Sequence, residues 1–220
     1  VMGILAALFE RERSGMGQHV DISMLDCQIS MLNYMATMFF LSGDNPHPIG
    51  NSHFVHVPYN TFTCSDGFIV IAVITDNFWQ NLKTLVNCPD FDDSKYDGQP
   101  GRWEDRDMIN ARLNDILSKN TCAFWLEQLE RERIPCAPVN NFSQALSDEQ
   151  VLHRNMVIDL KHPSGASTKG PGNPIKLSRS GSEEFSAAPL LGEHTSEVLT
   201  QLLGMPEDAI ESLKQSGVIA

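Results

Sequence analysis

Residues 59–76 read Tyr59-Asn60-Thr61-Phe62-Thr63-Cys64-Ser65-Asp66-Gly67-Phe68-Ile69-Val70-Ile71-Ala72-Val73-Ile74-Thr75-Asp76. Two segments rich in β-branched and aromatic residues flank Ser65-Asp66-Gly67, and Asp-Gly between apolar runs is a hairpin signal. Tyr59–Thr63 and Phe68–Ile74 are therefore expected to be strands. Thr75 or Asp76 then caps a helix in which Phe78, Trp79, Leu82, Leu85 and Val86 form one apolar face. Further on, Ile109, Leu113, Ile116 and Leu117 mark a second helix, and Thr121 caps a third that carries Cys122, Trp125, Leu126 and Leu129. Ile134–Val139 is too rich in proline for a central strand and reads as an edge strand or extended connector.

Before this block, Ile4, Leu5, Leu8 and Phe9 form a helical stripe from the first residue, with no Ser, Thr, Asp or Asn ahead of it as a cap. The reading at this point is a natural chain that begins further upstream. Gly15-Met16-Gly17 ends the helix, and Val20, Ile22 and Met24 alternate as in a strand over Gln18–Met24. Helix, turn, strand and helix in that order suit a layered α/β domain. Residues 42–58 carry Gly43, Asn45, Pro46, Pro48, Gly50 and Asn51 and form a linker or functional loop. After residue 141, Phe142–Met156 is weakly helical, Val157–Leu160 is a short strand, His162–Pro174 is a glycine-proline loop, and Ile175–Leu177 is a second strand. Two helices close the chain: Ser196–Leu203, entered through Thr195 and stopped by Gly204, and Pro206–Ser216, stopped by Gly217.

The 220 residues are 41% apolar, enough for a real core, and the net charge is −12. Lys and Arg are scattered, so no basic face exists for nucleic acid. The longest apolar candidate, Met24–Leu41, is interrupted by Asp26, Gln28, Ser30 and Asn33, which argues against a membrane span. The apolar N-terminal stretch runs into Glu10-Arg11-Glu12-Arg13 instead of a cleavage site, so no secretory signal is read there. Cys27, Cys64, Cys88, Cys122 and Cys136 are odd in number and contain no CxxC pair. They read as buried thiols in a reducing, cytoplasmic setting, with neither a disulfide framework nor a zinc site.

Each candidate for chemistry has a plainer reading beside it. His53 and His56 are three apart, but they stand in a loop without a third ligand, so no metal is expected. A role lining a pocket competes there with simple loop packing. Asp21 and Asp26 resemble an acid/base pair, yet Asp26 falls in the first turn of a helix, where a carboxylate suits the dipole. Gly15-Met16-Gly17 and Gly170-Pro171-Gly172 lack the strand-to-helix setting of a phosphate loop. Gly192-Glu193-His194-Thr195 gathers an acid, an imidazole and a hydroxyl, and reads equally as a helix cap.

Taken in order, a set of short segments resembles the family III coenzyme A transferases, which include formyl-CoA and carnitine CoA-transferases and the related α-methylacyl-CoA racemase. The segments are Gly3–Leu8 with Glu10-Arg11, Gly17–Asp21, Ser23–Asp26, Gly50-Asn51 with His53, Pro58-Tyr59 with Phe62, and Asp66-Gly67. They continue with Ile134-Pro135, Pro138-Val139, His162-Pro163 with Gly165, and Ala188–Thr195 with Val198-Leu199. The resemblance spans nearly the whole chain.

It implies an α/β fold: part of a large parallel-sheet domain, a smaller α+β domain, and two chains threaded into an interlocked homodimer. Residues 1–45 would finish the first portion of the large domain, 46–150 would form the small domain, and 151–220 would link back to the large one. The implied reaction moves coenzyme A from an acyl-CoA to a small carboxylic acid through intermediates on an aspartate. No cofactor is held permanently, and the coenzyme A thioester is substrate. That aspartate is expected upstream of Val1, as are the main donors to coenzyme A, which accounts for an acidic chain serving a polyanion. The chain alone is then expected to be inactive. Its substrate-loop candidates are Gly50, Asn51, His53, Phe54 and His56, where formyl-CoA transferases carry a glycine-rich loop. A racemase is the alternative activity, and a non-catalytic subunit-threading fragment the alternative of another class.

Overall fold

The computed structural model describes residues 1–181 and 184–219. The chain divides into two units, Val1–Ala137 and Pro138–Ala220.

In the first unit, α1 (Met2–Ser14) starts at Val1 without a side-chain cap and stops where Gly15 turns left-handed and donates its N–H to Arg11 O. The expected strand over Gln18–Met24 does not form. Residues 15–23 are irregular and join no ladder, and Val20 and Ile22 lean over Gly3, where an added Cβ would meet them at 3.2 and 3.3 Å. The alternating side thus touches a neighbouring helix at Val20 and Ile22 but leaves Ile22 and Met24 largely exposed. Ser23 Oγ accepts the Asp26 N–H and caps α2 (Met24–Met31), and α3 (Tyr34–Ser42) ends at the left-handed Gly43. None of these three helices buries a residue.

The hairpin forms as expected. β1 (Tyr59–Thr63) and β2 (Phe68–Ala72) pair antiparallel from Tyr59↔Ala72 to Thr63↔Phe68, and Cys64 N–H closes the turn on Gly67 O at 2.8 Å. The ladder stops two residues short of Ile74, although Val73 N–H still reaches Pro58 O at 2.9 Å. Thr75 Oγ1 then caps α4 (Asp76–Val86) by accepting the Phe78 N–H. Two single 3-10 turns, Pro89–Phe91 and Ser94–Asp97, lead to α5 (Gln99–Glu104), α6 (Arg106–Leu117) and α7 (Cys122–Arg131), the last capped by Thr121. β3 (Cys136–Pro138) adds to the free side of β2, so the proline-rich segment is an edge strand. Phe62, Ile69, Ile71 and Val73 from the sheet meet Trp79, Leu82, Phe91, Ile109, Leu113, Leu117 and Leu129, all inaccessible to solvent. This core holds the hairpin and its helices in place.

In the second unit the weakly helical stretch is two short helices, α8 (Phe142–Ser147) and α9 (Glu149–His153). They are separated at Asp148, whose carboxylate caps the second. β4 (Val157–Lys161) pairs antiparallel with β5 (Ser167–Pro171), which lies inside the segment expected to be a loop. Ile175–Leu177, expected to be a strand, is irregular. β5 is polar on both faces, which hides it from a hydrophobic pattern. The chain closes with α10 (Thr195–Leu203) and α11 (Glu207–Gln215). Among the described residues no helix is long and apolar enough to cross a membrane.

Candidate functional site

The loop between α3 and β1 gathers four of the five candidate side chains and main chains into one short structure. Gly50 sits at φ +63, a left-handed conformation that favours glycine, and with Asn51 it turns the chain. Ser52 Oγ accepts from Asn60 Nδ2 at 2.9 Å, which ties the loop to β1. His53 donates its own N–H to Tyr59 O at 3.1 Å, and its ring stacks on Tyr59 with centroids 5.1 Å apart. Its Nδ1 accepts two backbone N–H groups, from Val55 at 3.0 Å and His56 at 3.2 Å. The His56 ring lies 4.8 Å from that of His53. Burial, and secondly the neighbouring His56, hold the His53 imidazole below its ordinary pKa of 6.5 and favour the neutral ring. Phe54, the fifth candidate, lines an open hollow of about 270 Å³ with Val55, Gln99, Pro100 and Trp103.

Two residues with no signal of their own in the sequence hold this loop from below. The Gln99 side chain accepts the Val57 N–H at 3.0 Å through Oε1, and its Nε2 lies 3.2 Å from His56 Nδ1 and 3.4 Å from Val73 O. Arg102 is fully buried. Its Nε donates to Val57 O at 2.9 Å, Nη1 to Tyr96 O at 2.6 Å and Asp97 O at 3.1 Å, and Nη2 to Asp76 at 2.7 Å. The guanidinium also stands 5.3 Å from the Trp79 ring centre. A buried charge persists only where its donors are satisfied, and all three nitrogens are. The one hint in the sequence is Gly101: any Cβ there would collide with the Lys95 carbonyl, so the start of α5 needs glycine for close approach.

The other candidates stay apart from this cluster. Asp26 occupies the first turn of α2, and Asp21 lies in the irregular segment before it. Gly192–Thr195 is a turn in which Glu193 accepts the Leu190 N–H at 2.6 Å. His194, whose side chain makes no cap, precedes a helix that already includes Thr195. The helix-cap reading of this motif is corrected accordingly: its carboxylate closes the preceding turn. Among the described residues no three metal-type side chains converge. Asp66 Oδ1 accepts the Cys122 N–H at 2.7 Å. Burial, then hydrogen bonding to Asp66 and Cys64, pushes the Cys122 thiol up to about 12, so it is a poor nucleophile at neutral pH.

Residues 1–195 match CoA-transferase family III. The chain belongs to that family. Its relatives include succinyl-CoA:glutarate CoA-transferase of Mus musculus, 31% identical over 98% of this chain and 50% of the relative. Succinyl-CoA:mesaconate CoA-transferase of Haloarcula hispanica is 33% identical over 96% of this chain and 53% of its own length. Formyl-CoA:oxalate CoA-transferase of Streptomyces coelicolor is 28% identical over all of this chain and 57% of the relative. The family III chain therefore spans about half the length of the curated relatives it matches. A solved CAIB/BAIF family protein from Brucella suis superposes with a TM-score of 0.76 at 30% identity, covering 92% of this chain and 52% of that one.

Proposed function

We propose that this chain works within an acyl-CoA:carboxylate CoA-transferase whose nucleophilic aspartate lies outside these 220 residues, and that the acceptor is a short dicarboxylic acid. The family match over residues 1–195 carries the reading. The relatives' names pair an acyl-CoA with glutarate, mesaconate or oxalate, which favours transfer over racemisation and a dicarboxylate over a monocarboxylate. An aspartate suits the chemistry: its attack on the thioester expels coenzyme A thiolate and leaves a mixed anhydride reactive enough to be attacked by that thiolate in turn. The coenzyme A thioester is substrate, and no resident cofactor is needed.

Within this scheme the loop from Gly50 to His56 faces the acceptor. Residues 1–45 and 151–220 belong to a large parallel-sheet domain, and 46–150 form a small domain. The protein works in the cytoplasm as an interlocked homodimer. The many exposed apolar side chains of α1 to α3, Ile4, Leu5, Phe9, Met24, Leu25 and Phe40 among them, support an assembled enzyme in which these helices are covered. The test is to incubate the chain alone, and a longer protein containing it and the preceding half, with succinyl-CoA and glutarate. Glutaryl-CoA should form only with the longer protein. A stoichiometric, hydroxylamine-sensitive adduct on the chain alone would refute the placement of the nucleophile. No transfer by the longer protein to any of glutarate, mesaconate or oxalate would refute the activity.

A further inference from the structure

The hydrogen bonds of the loop fix which nitrogen of each imidazole carries a proton. A backbone N–H can only donate, so the two that point at His53 Nδ1 make that atom an acceptor and put the proton of the neutral ring on Nε2. For His56 the same result comes through Gln99. The Val57 N–H requires an oxygen opposite it, which settles the orientation of the Gln99 amide and leaves its NH₂ facing both His56 Nδ1 and Val73 O. His56 Nδ1 must then accept, and its proton too stands on Nε2. Neither Nε2 has a partner among the described residues, and neither is sealed from solvent. The ring centroids are 4.8 Å apart, so the two Nε2–H donors belong to neighbouring imidazoles of one loop.

We infer that His53 and His56 form a two-donor site for one carboxylate group, and that Gln99 is the positioning residue that aims the His56 donor. The inference rests on the proposed transferase reading and deepens it. Among the described residues no carboxylate, hydroxyl or thiol is hydrogen-bonded to either ring, so the site holds its ligand and does not attack it. A dicarboxylic acid has one carboxylate to be held and one to react, and the held one belongs here. Two donors can serve the two oxygens of one carboxylate, and with each Nδ1 already accepting, recognition runs through the Nε2–H hydrogen bonds.

The experiment has a spectroscopic arm and a kinetic arm. In two-bond proton–nitrogen spectra of the chain labelled with ¹⁵N-histidine, both residues should show the Nε2–H pattern. Gln99→Glu still accepts the Val57 N–H but can no longer donate to His56, so a proton should appear on His56 Nδ1 while His53 keeps its pattern. An Nδ1–H pattern for either histidine in the unmodified chain would overturn the inference, as would a Gln99→Glu spectrum identical to it. Glutarate added to the chain should shift both rings, and acetate at equal carboxylate concentration should shift them less.

In the complete transferase, His56→Gln keeps an amide N–H near the Nε2 position, whereas His56→Asn does not reach it. The acceptor KM should rise roughly tenfold in His56→Asn, about the factor that one hydrogen bond of 1.4 kcal/mol supplies, and distinctly less in His56→Gln, with kcat little changed in both. Equal effects of the two variants, or a loss confined to kcat, would overturn the site. Absence of CoA transfer by the unmodified enzyme would instead strike at the proposed function, leaving the spectra and the glutarate titration to decide this inference.

Discussion

Replacing Arg102 by methionine tests the support of the loop most directly. The side chain is wholly buried, so its loss exposes the balance between orphaned acceptors and a removed charge. Its salt-bridge partner does not decide the outcome, because the Asp76 carboxylate is 62% exposed and stays hydrated when the guanidinium goes. The carbonyls do. Val57 O and Tyr96 O lose the donors that met them at 2.9 and 2.6 Å, and a buried acceptor left without a donor costs about 1–3 kcal/mol. Methionine fills much of the space of the aliphatic stem, which limits the cavity penalty. The sum is about 3 kcal/mol, and Arg102→Lys, which keeps a point charge but not the planar fork, should cost roughly half of that.

The assay is equilibrium urea unfolding followed by tryptophan fluorescence. The protein's 3 tryptophans, Trp79, Trp103 and Trp125, all lie in the first unit, so the signal reports that unit. With an m-value of about 1.5 kcal/mol/M, the midpoint should fall by about 2 M in Arg102→Met. Asp76→Asn should shift it less than Arg102→Lys does. A cost below about 1 kcal/mol for Arg102→Met, with m unchanged, refutes the reasoning, because then the two carbonyls are satisfied by something other than the guanidinium.

Gly101→Ala forces a Cβ into the Lys95 carbonyl, and in the same assay it should cost at least about 2 kcal/mol through main-chain displacement; a midpoint equal to the parent's would show that the turn is not close-packed. Of the five cysteines, Cys27 alone is exposed, so Ellman's reagent at pH 8 should label one thiol quickly. Cys122, pushed up to about 12, should react at least a hundredfold more slowly, and comparable rates would count against its half-buried, acid-flanked setting. His53 has its folded pKa depressed, so the unfolded ring takes up a proton first as pH falls. The stability it contributes is full above the ordinary value of 6.5 and is lost as pH falls below it towards the folded value. His56 and Tyr59 are the titratable groups that face it. His53→Gln should flatten the decline of the urea midpoint between pH 7 and pH 5, and an unchanged slope would mean that other groups carry it.

Much of the fold was legible because its signals are local. Thr75 and Thr121 stand one residue before apolar faces of period 3.6, and both cap the helices they announce. Asp66-Gly67 between two β-rich runs gives the hairpin, whose register the structure supplies. The errors are equally physical. Val20, Ile22 and Met24 alternate, but no ladder forms: Val20 and Ile22 lie against Gly3 of a helix, while Ile22 and Met24 remain largely exposed. Ser167–Pro171 is a strand without an apolar face. Its pairing with Val157–Lys161 is set by the short turn at His162–Gly165 and the backbone ladder, to which a hydrophobic pattern is blind.

The candidate site divides along the same line. Gly50, Asn51, His53, Phe54 and His56 are contiguous enough to be picked out together as a loop of unusual composition. Their arrangement depends on residues that sequence proximity does not connect to them. Val57 O and Val57 N–H are held by Arg102 and Gln99, more than forty positions on. Arg102 in turn is held by Tyr96, Asp97 and Asp76. No one of these segments announces a site: Gln99–Arg102 opens α5, and Asp76 reads as a helix-entry acid. The consequence is that the loop's geometry is a property of the first unit's core. Gln99 changes which donor the loop presents without touching the main chain of the histidines. Arg102 changes whether the loop has a fixed main chain at all. Gln99→Glu, which keeps an acceptor for the Val57 N–H, and Arg102→Met should therefore separate, the first acting on ligand affinity with little change in stability and the second on both.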